Sequence, residues 1–185
     1  MRYRKLLIGL GAAALAAAYY QRSYRYRDPV RLPPDKTGLV APADGTVAFV
    51  RRAEGPGQGW QLGVALSPLS VRYIYAPQDG TVQVLTRQPV RLPEQSRPAD
   101  ALTLALSASL GNGADVTLAA PAGTRLVART YFSAGEPVRR GNKLAFLERG
   151  ALVVLTFGEE FRPAVRVGER VTGAQTVLAR PAAEV

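Results

Sequence analysis

Ala41-Pro42-Ala43-Asp44-Gly45-Thr46-Val47 is followed further along the chain by a near copy, Ala76-Pro77-Gln78-Asp79-Gly80-Thr81-Val82. Asp-Gly is a turn dipeptide: the Asp side chain bonds nearby backbone amides, and Gly adopts conformations closed to other residues. The Thr-Val that follows is β-branched and suits a strand. Each copy therefore reads as a turn feeding a strand, over residues 46–50 and 81–85. A second element also returns. Ala134-Gly135-Glu136-Pro137-Val138-Arg139-Arg140-Gly141 comes back as Val167-Gly168-Glu169-Arg170-Val171-Thr172-Gly173, with glycines where the chain must bend sharply. These repeats set the fold class as mainly β, a sandwich or barrel of hairpins.

Further strands are predicted at residues 60–67, 101–106, 116–119, 125–132, 143–147 and 152–157. Residues 55–59 read as a hairpin loop, and residues 86–100, with Pro89, Pro93, Pro98 and many charges, as a surface loop or mobile insert. No helical pattern of three turns follows residue 27. The Gly-Glu-x-Val-x-x-Gly elements are similar to those between strands of lipoyl- and biotinyl-like sandwiches. Those carriers need a Lys at a hairpin tip flanked by Met, and Lys5, Lys36 and Lys143 are not so placed. A prosthetic-group carrier is therefore not expected.

The composition removes whole classes of chemistry. Among 185 residues there is no Cys and no His. Disulfides, thiolate metal sites, cysteine nucleophiles and any imidazole base are absent, and no metal site is expected. Lys and Arg number 24 against 14 Asp and Glu, a formal charge of +10. That balance suits an anionic partner, nucleic acid or phospholipid, or reflects plain compositional bias.

Position favours phospholipid. Arg2, Arg4 and Lys5 precede an uncharged run over residues 6–20, and Tyr19, Tyr20, Tyr24 and Tyr26 then interleave with Arg22, Arg25 and Arg27. Cationic start, apolar run, then Tyr and Arg is how a chain meets a bilayer interface. The run is shorter than the roughly 20 residues needed to span. Residues 1–27 therefore read as a membrane anchor or interfacial helix, with a cleaved secretory signal or an ordinary buried helix as alternatives. Residues 28–185 read as the β domain. No nucleic-acid-binding module follows the Arg and Tyr cluster, so nucleic acid is not expected as a partner.

Taken in order, the motifs resemble the phosphatidylserine decarboxylases, and most closely their short bacterial and archaeal branch. Tyr24-Arg25-Tyr26-Arg27-Asp28-Pro29-Val30-Arg31-x-x-Pro34 followed by Ala41-Pro42-Ala43-Asp44-Gly45 is similar to that family's aromatic-Arg-Asp-Pro stretch and Pro-Ala-Asp-Gly motif. Ser67-Pro68-Leu69-Ser70-Val71-Arg72 followed by Ala76-Pro77-x-Asp79-Gly80 resembles its next motif, and residues 135–179 match its closing segment in spacing. The resemblance implies a β-rich fold with a membrane-facing site. It also implies a proenzyme that cleaves itself before a Ser, leaving a pyruvoyl group as the electron sink for CO₂ loss. An Asp-His pair assists the cleavage.

Carried across, the family's Asp falls on Asp44, its His on Arg72 and its Gly-Ser pair on Gly150-Ala151, while Ser70 stands at a usually acidic position. Arg holds its proton at neutral pH and Ala has no hydroxyl. None of Ser23, Ser67, Ser70, Ser96, Ser107, Ser109 and Ser133 follows a Gly, and Thr156 lies inside an apparent strand. The expectation is a catalytically inactive relative that keeps the fold and binds anionic lipid, phosphatidylserine included, through Arg25, Arg27, Arg31 and Arg72. No cofactor is expected, a pyruvoyl group arising only if Ala151 is misaligned. Two alternatives stand beside it: an active decarboxylase with a non-standard site, and a membrane-tethered β adaptor without lipid chemistry. The expected location is the cell membrane, with a secreted or periplasmic protein as the alternative. A homo-oligomer is left open.

Overall fold

The computed structural model describes residues 2–34, 37–53, 59–93, 97–108 and 113–184. One helix, α1 (Arg2–Arg22), precedes fourteen strands among these residues. The strands are β1 (Leu39–Val40), β2 (Gly45–Arg52), β3 (Trp60–Ala65), β4 (Tyr73–Tyr75), β5 (Gly80–Val90), β6 (Ala99–Ala108) and β7 (Ala114–Ala119). They continue as β8 (Val127–Thr130), β9 (Pro137–Val138), β10 (Lys143–Arg149), β11 (Leu152–Phe157), β12 (Phe161–Pro163), β13 (Arg170–Val171) and β14 (Val177–Pro181). Eight of them form a curled antiparallel sheet in the order β13-β2-β3-β11-β7-β6-β5-β9. Two three-stranded sheets, β4-β10-β8 and β1-β14-β12, complete the body.

Period-two alternation assigns the faces. In β11, Val153 and Leu155 enter the main core with Leu62, Leu104, Leu118 and Leu147, while Val154 turns to a small outer cluster with Leu92, Ala99, Ala101 and Ala119. Ile74 of β4 and Leu178 of β14 reach the main core from the two small sheets, so all three sheets share it.

The two sequence repeats are a structural duplication. Val40 N–H donates to Pro77 O at 2.9 Å, and Tyr75 N–H donates to Pro42 O at 2.8 Å, so the copies exchange bonds as a two-fold axis between them would require. Each copy then takes one Gly-Glu element. Val47 bonds Glu169 O and Gly168 N–H, as Val82 bonds Glu136 O and Gly135 N–H. Asp44 Oδ1 accepts from Gly173 N–H at 2.8 Å, as Asp79 Oδ1 accepts from Arg140 N–H at 2.7 Å. Gly168 and Gly135 share a positive φ, 87° and 90°. So do Ala174 and Gly141, at 62° and 84°.

Two sequence expectations change here. Residues 86–100 are not a free insert: β5 runs on to Val90 and β6 begins at Ala99. Cross-strand pairing from Gly80↔Ala108 to Val90↔Ala99 outweighs the breaker at Pro89, which sits where an edge strand tolerates proline. The helix is also longer than the uncharged run, because Ala and Arg are strong helix formers and extend it to Arg22. It is not the buried helix weighed as one alternative, since its described side chains from Ile8 to Tyr19 are exposed. No helix among the described residues is long and apolar enough to cross a membrane. Of the predicted 55–59 hairpin loop, all but Gly59 lies outside the described residues.

Gly141 and Gly168 separate backbone strain from packing. Both have a positive φ, but a Cβ at Gly141 would meet Pro33 Cγ at 2.5 Å, whereas one at Gly168 meets nothing within 4 Å. G168A is expected to cost about 1 kcal/mol, the left-handed penalty alone. G141A is expected to cost about twice that, because Pro33 must also move. Urea unfolding checks this, and equal costs would show that Pro33 does not rest there.

Candidate functional site

Residues 27–34 carry Pro29, Pro33 and Pro34 and form no regular element. Proline stiffens this strap and removes backbone donors that would otherwise need partners. From it the Arg31 side chain turns inward to the turn before β2. Arg31 grips Asp44 with both arms of its fork: Nη1 donates to Oδ1, and Nη2 donates to Oδ2 at 2.6 Å. Nη1 also donates to Gly173 O at 2.8 Å, while Gly173 N–H donates back to Asp44 Oδ1 at 2.8 Å. The Arg31 side chain is 7% exposed and that of Asp44 18%. Burial works against the Arg31 charge, but the hydrogen bond and charge of Asp44 more than offset it and leave the Arg31 pKa raised.

The guanidinium carbon of Arg31 also stands 5.3 Å from the centre of the Tyr75 ring. The Tyr75 hydroxyl is buried without a hydrogen-bond partner. Burial pushes its pKa up to about 12, opposed by Arg31 and reinforced by Asp44, Asp28 and Tyr73.

Asp44 lies on the wall of a cleft of about 390 Å³, which Arg27, Ser67, Leu69, Ser70, Arg170 and Thr172 also line. Ser70 is buried and its Oγ accepts from Ser67 N–H at 3.0 Å, which closes the 67–70 turn. The cleft thus offers hydroxyls and two arginines around a carboxylate that Arg31 already neutralises.

Beyond the turn, Arg72 Nε donates to Leu147 O at 3.0 Å and Nη2 to Gly150 O at 3.1 Å. Arg72 is thereby the brace of the turn from β10 to β11. Burial, opposed by Tyr20 and aided by Arg25, holds its pKa below the ordinary arginine value. A guanidinium nonetheless remains protonated at neutral pH, so it donates hydrogen bonds and exchanges no proton. Ala151 follows in the same turn. Its N–H donates to Ala119 O at 3.1 Å and its carbonyl accepts from Leu66 N–H at 2.8 Å.

Arg72 and Gly150-Ala151, which the resemblance aligns with the family's His and Gly-Ser pair, are linked by the Arg72 to Gly150 hydrogen bond. Asp44 stands apart from them: no hydrogen bond or ion pair joins it to Arg72 among the described residues. The four arginines expected at lipid phosphates are engaged with the protein. Arg25 donates to Glu148 O at 2.5 Å, Arg27 donates to Leu69 O and lies over the Tyr24 ring, and Arg31 and Arg72 are as described. Arg31 as the clamp on Asp44, and Arg170 and Thr172 in the cleft wall, were not foreseen.

A model of the family described as phosphatidylserine decarboxylase matches residues 21–179. The chain belongs to the phosphatidylserine decarboxylase family. The chain is 29% identical to a phosphatidylserine decarboxylase proenzyme of Paraburkholderia phymatum, over 83% of this chain and 76% of that one. It is 30% identical to the proenzyme of Burkholderia pseudomallei, over 83% and 75%. Identity to the proenzyme of Cereibacter sphaeroides is also 30%, over 84% and 72%. No solved structure matches the chain.

The family resemblance implies a pyruvoyl group made from the Ser of a Gly-Ser pair, and the residues at that place do not fit one. Position 151 has no hydroxyl to attack the Gly150 carbonyl, and Arg72, which donates to that carbonyl oxygen, cannot take up a proton. Both backbone polar groups of Ala151 are bound into the sheet.

R31M would strand a half-buried carboxylate and D44N a buried guanidinium, so each is expected to cost about 2–4 kcal/mol. The double variant should cost less than the sum of the two, and additive losses in urea unfolding would show the pair to be independent. Tyr75 gives a pH test. Its folded pKa of about 12 lies above the ordinary tyrosine value of about 10. The neutral form is favoured by folding, so this contribution is complete below about pH 10 and is lost as pH rises toward about 12. Y75F should flatten that alkaline decline and be at least as stable at neutral pH. An unchanged alkaline limb would show that Tyr75 does not carry it.

Proposed function

We propose that this phosphatidylserine decarboxylase homologue is a protein of phospholipid metabolism that no longer self-cleaves or decarboxylates, and that it acts by binding anionic lipid at the membrane. The observation that carries this reading is the pair Arg72 and Ala151. The two positions assigned to the His and the Ser are in contact through the Gly150 carbonyl, as a reaction centre requires, yet one side chain cannot take a proton and the other has no nucleophile. Neither loss leaves a gap. Arg72 satisfies two carbonyls, and Ala151 completes the ladder toward β3 and β7.

Lipid binding is supported by charge and by exposure. The chain carries +10, and α1 presents Tyr3, Ile8, Leu10, Leu15 and Tyr19 to solvent. An exposed Ala-rich helix bearing such side chains between cationic ends suits the headgroup and acyl boundary. In this reading residues 1–27 lie along the cell membrane as an interfacial helix, and residues 28–185 are the lipid-binding domain, with phosphatidylserine as one ligand.

Intact mass and a decarboxylation assay on the full membrane-extracted chain test this together. The expected outcome is one chain near 19.8 kDa and no phosphatidylethanolamine formed from phosphatidylserine. Two chains, the smaller with a blocked first residue, would return the protein to the working decarboxylases. Restoring both residues as R72H/A151S is expected to bring back chain scission before position 151 if the assignment is right. R72H or A151S alone should leave the chain intact.

A further inference from the structure

Exposed large apolar side chains are not spread evenly over this molecule. Of the twelve among the described residues, eight lie on α1, on the strap or on the 67–70 turn. On the β domain itself the exposed aliphatics are Val30 at 93% exposure, Leu32 at 78%, Val167 at 62%, Leu69 at 61% and Val84 at 52%, and three of these five lie on the strap or the 67–70 turn. Isolated exposed aliphatics are ordinary, but a cluster rimmed by cations marks an interaction surface.

The hydrogen bonds place these side chains on one end of the domain. Tyr20 Oη donates to Pro68 O at 2.5 Å, and Arg27 donates to Leu69 O, so the end of α1 and the start of the strap rest on the 67–70 turn. Four residues on, Arg31 is anchored on Asp44, and Arg27, Leu69 and Asp44 line one cleft. Val30 and Leu32 stand outward on the strap on either side of Arg31, whose partner Asp44 lines that cleft. Pro29 and Pro33 bracket them and hold the strap stiff, so little order is lost when they are buried. Arg27 and Arg170 supply positive charge at the same place.

We propose that this end of the β domain is itself a membrane-docking surface, on which Val30, Leu32 and Leu69 enter the interface of an anionic bilayer and turn the Asp44 cleft toward the headgroups. The occupant is the lipid surface. Aliphatic tips beside arginines match a negatively charged, partly apolar boundary, and the chain's charge of +10 disfavours a second copy on the same face. The inference rests on the membrane reading above and goes further. With α1 alone as tether the domain would hang free in water, whereas a second contact fixes its orientation, and with it the direction in which the cleft opens.

The absence of cysteine makes the test clean. Single variants L69C, L32C, L15C and V84C of the full chain are labelled with an environment-sensitive nitrobenzoxadiazole dye. They are mixed with phosphatidylcholine vesicles with and without phosphatidylglycerol. Val84 lies on β5 and is 52% exposed outside the proposed face. The expected result is brightening and blue-shift of the dye at positions 69, 32 and 15 with the anionic vesicles, and none at 84. A response at 15 with none at 69 or 32 would overturn docking by the domain and leave the helix tether standing. Silence at every position would overturn both readings, and a response at 84 as strong as at 69 would overturn this choice of face. Unlabelled L32S/L69S should bind the anionic vesicles about tenfold more weakly with an unchanged unfolding curve, since a buried leucine contributes roughly one to two factors of ten. Undiminished binding would again leave only the helix.

Discussion

The Arg31–Asp44 pair is the most buried ion pair among those described, and beside the bonds of Arg27, Asp28 and Pro34 it anchors the strap to the body. One guanidinium ties the strap to the turn before β2 and, through Gly173, to the turn after β13. A single buried ion pair is weak evidence for stability, because desolvating both charges costs nearly what their attraction returns. Its effect here is on geometry. Once Asp44 is buried among backbone dipoles it needs a cation, and Arg31 is the one that reaches it. Satisfying it fixes where the strap lies, which side of the strap is exposed, and where α1 leaves the body. The cleft beside Asp44 takes its shape from the same constraint.

Duplication explains why the rest of the body needs so little else. Each repeat supplies a turn Asp, a strand and a Gly-Glu hairpin, and the two copies bond across to each other at Val40–Pro77 and Tyr75–Pro42. The symmetry breaks at informative places. Asp79 is exposed, whereas Asp44, its equivalent, is half-buried and takes the Arg31 fork. The left-handed position filled by glycine at 141 is filled by Ala174 in the other copy, fully buried and at φ 62°. Strain is tolerated on the side nearer the cleft.

How much of this was legible follows from the range of each signal. Turn dipeptides and β-branched runs are local, so the mainly β fold, the repeat and the strands at 60–65, 143–149 and 152–157 could be read directly. The extension of β5 and β6 through residues 86–90 and 99–100 could not, because it depends on pairing between strands rather than on either one, and Pro89 argued locally against it. The family resemblance implied a pairing of Asp44 with Arg72, and the bond from Arg72 to the Gly150 carbonyl is a feature only the fold shows. The partner of Asp44 was missed for a physical reason: arginines before a Pro-Ala-Asp-Gly turn look alike in sequence, and only the path of the strap shows which one turns inward. Arg31 does, and Arg25 and Arg27 go to carbonyls instead.

The same reasoning bears on why the substitutions at 72 and 151 belong together. An imidazole beside the Gly150 carbonyl is useful while a hydroxyl follows it, since the pair can move a proton and attack a carbon. Without the hydroxyl the turn is only a buried bend whose carbonyls need donors, and a neutral imidazole supplies one N–H where a guanidinium supplies five. Arg72 uses its fork on two of those carbonyls, Leu147 and Gly150, although burial holds its pKa below the ordinary arginine value. Loss of the nucleophile thus converts the best residue at 72 from a proton carrier into a brace. A guanidinium on the Gly150 oxygen would itself steady the anion that an attack there forms, so it is the nucleophile and the base that the turn lacks. On the reading proposed above, each change removes the selection against the other, and the turn serves only to hold β10 to β11.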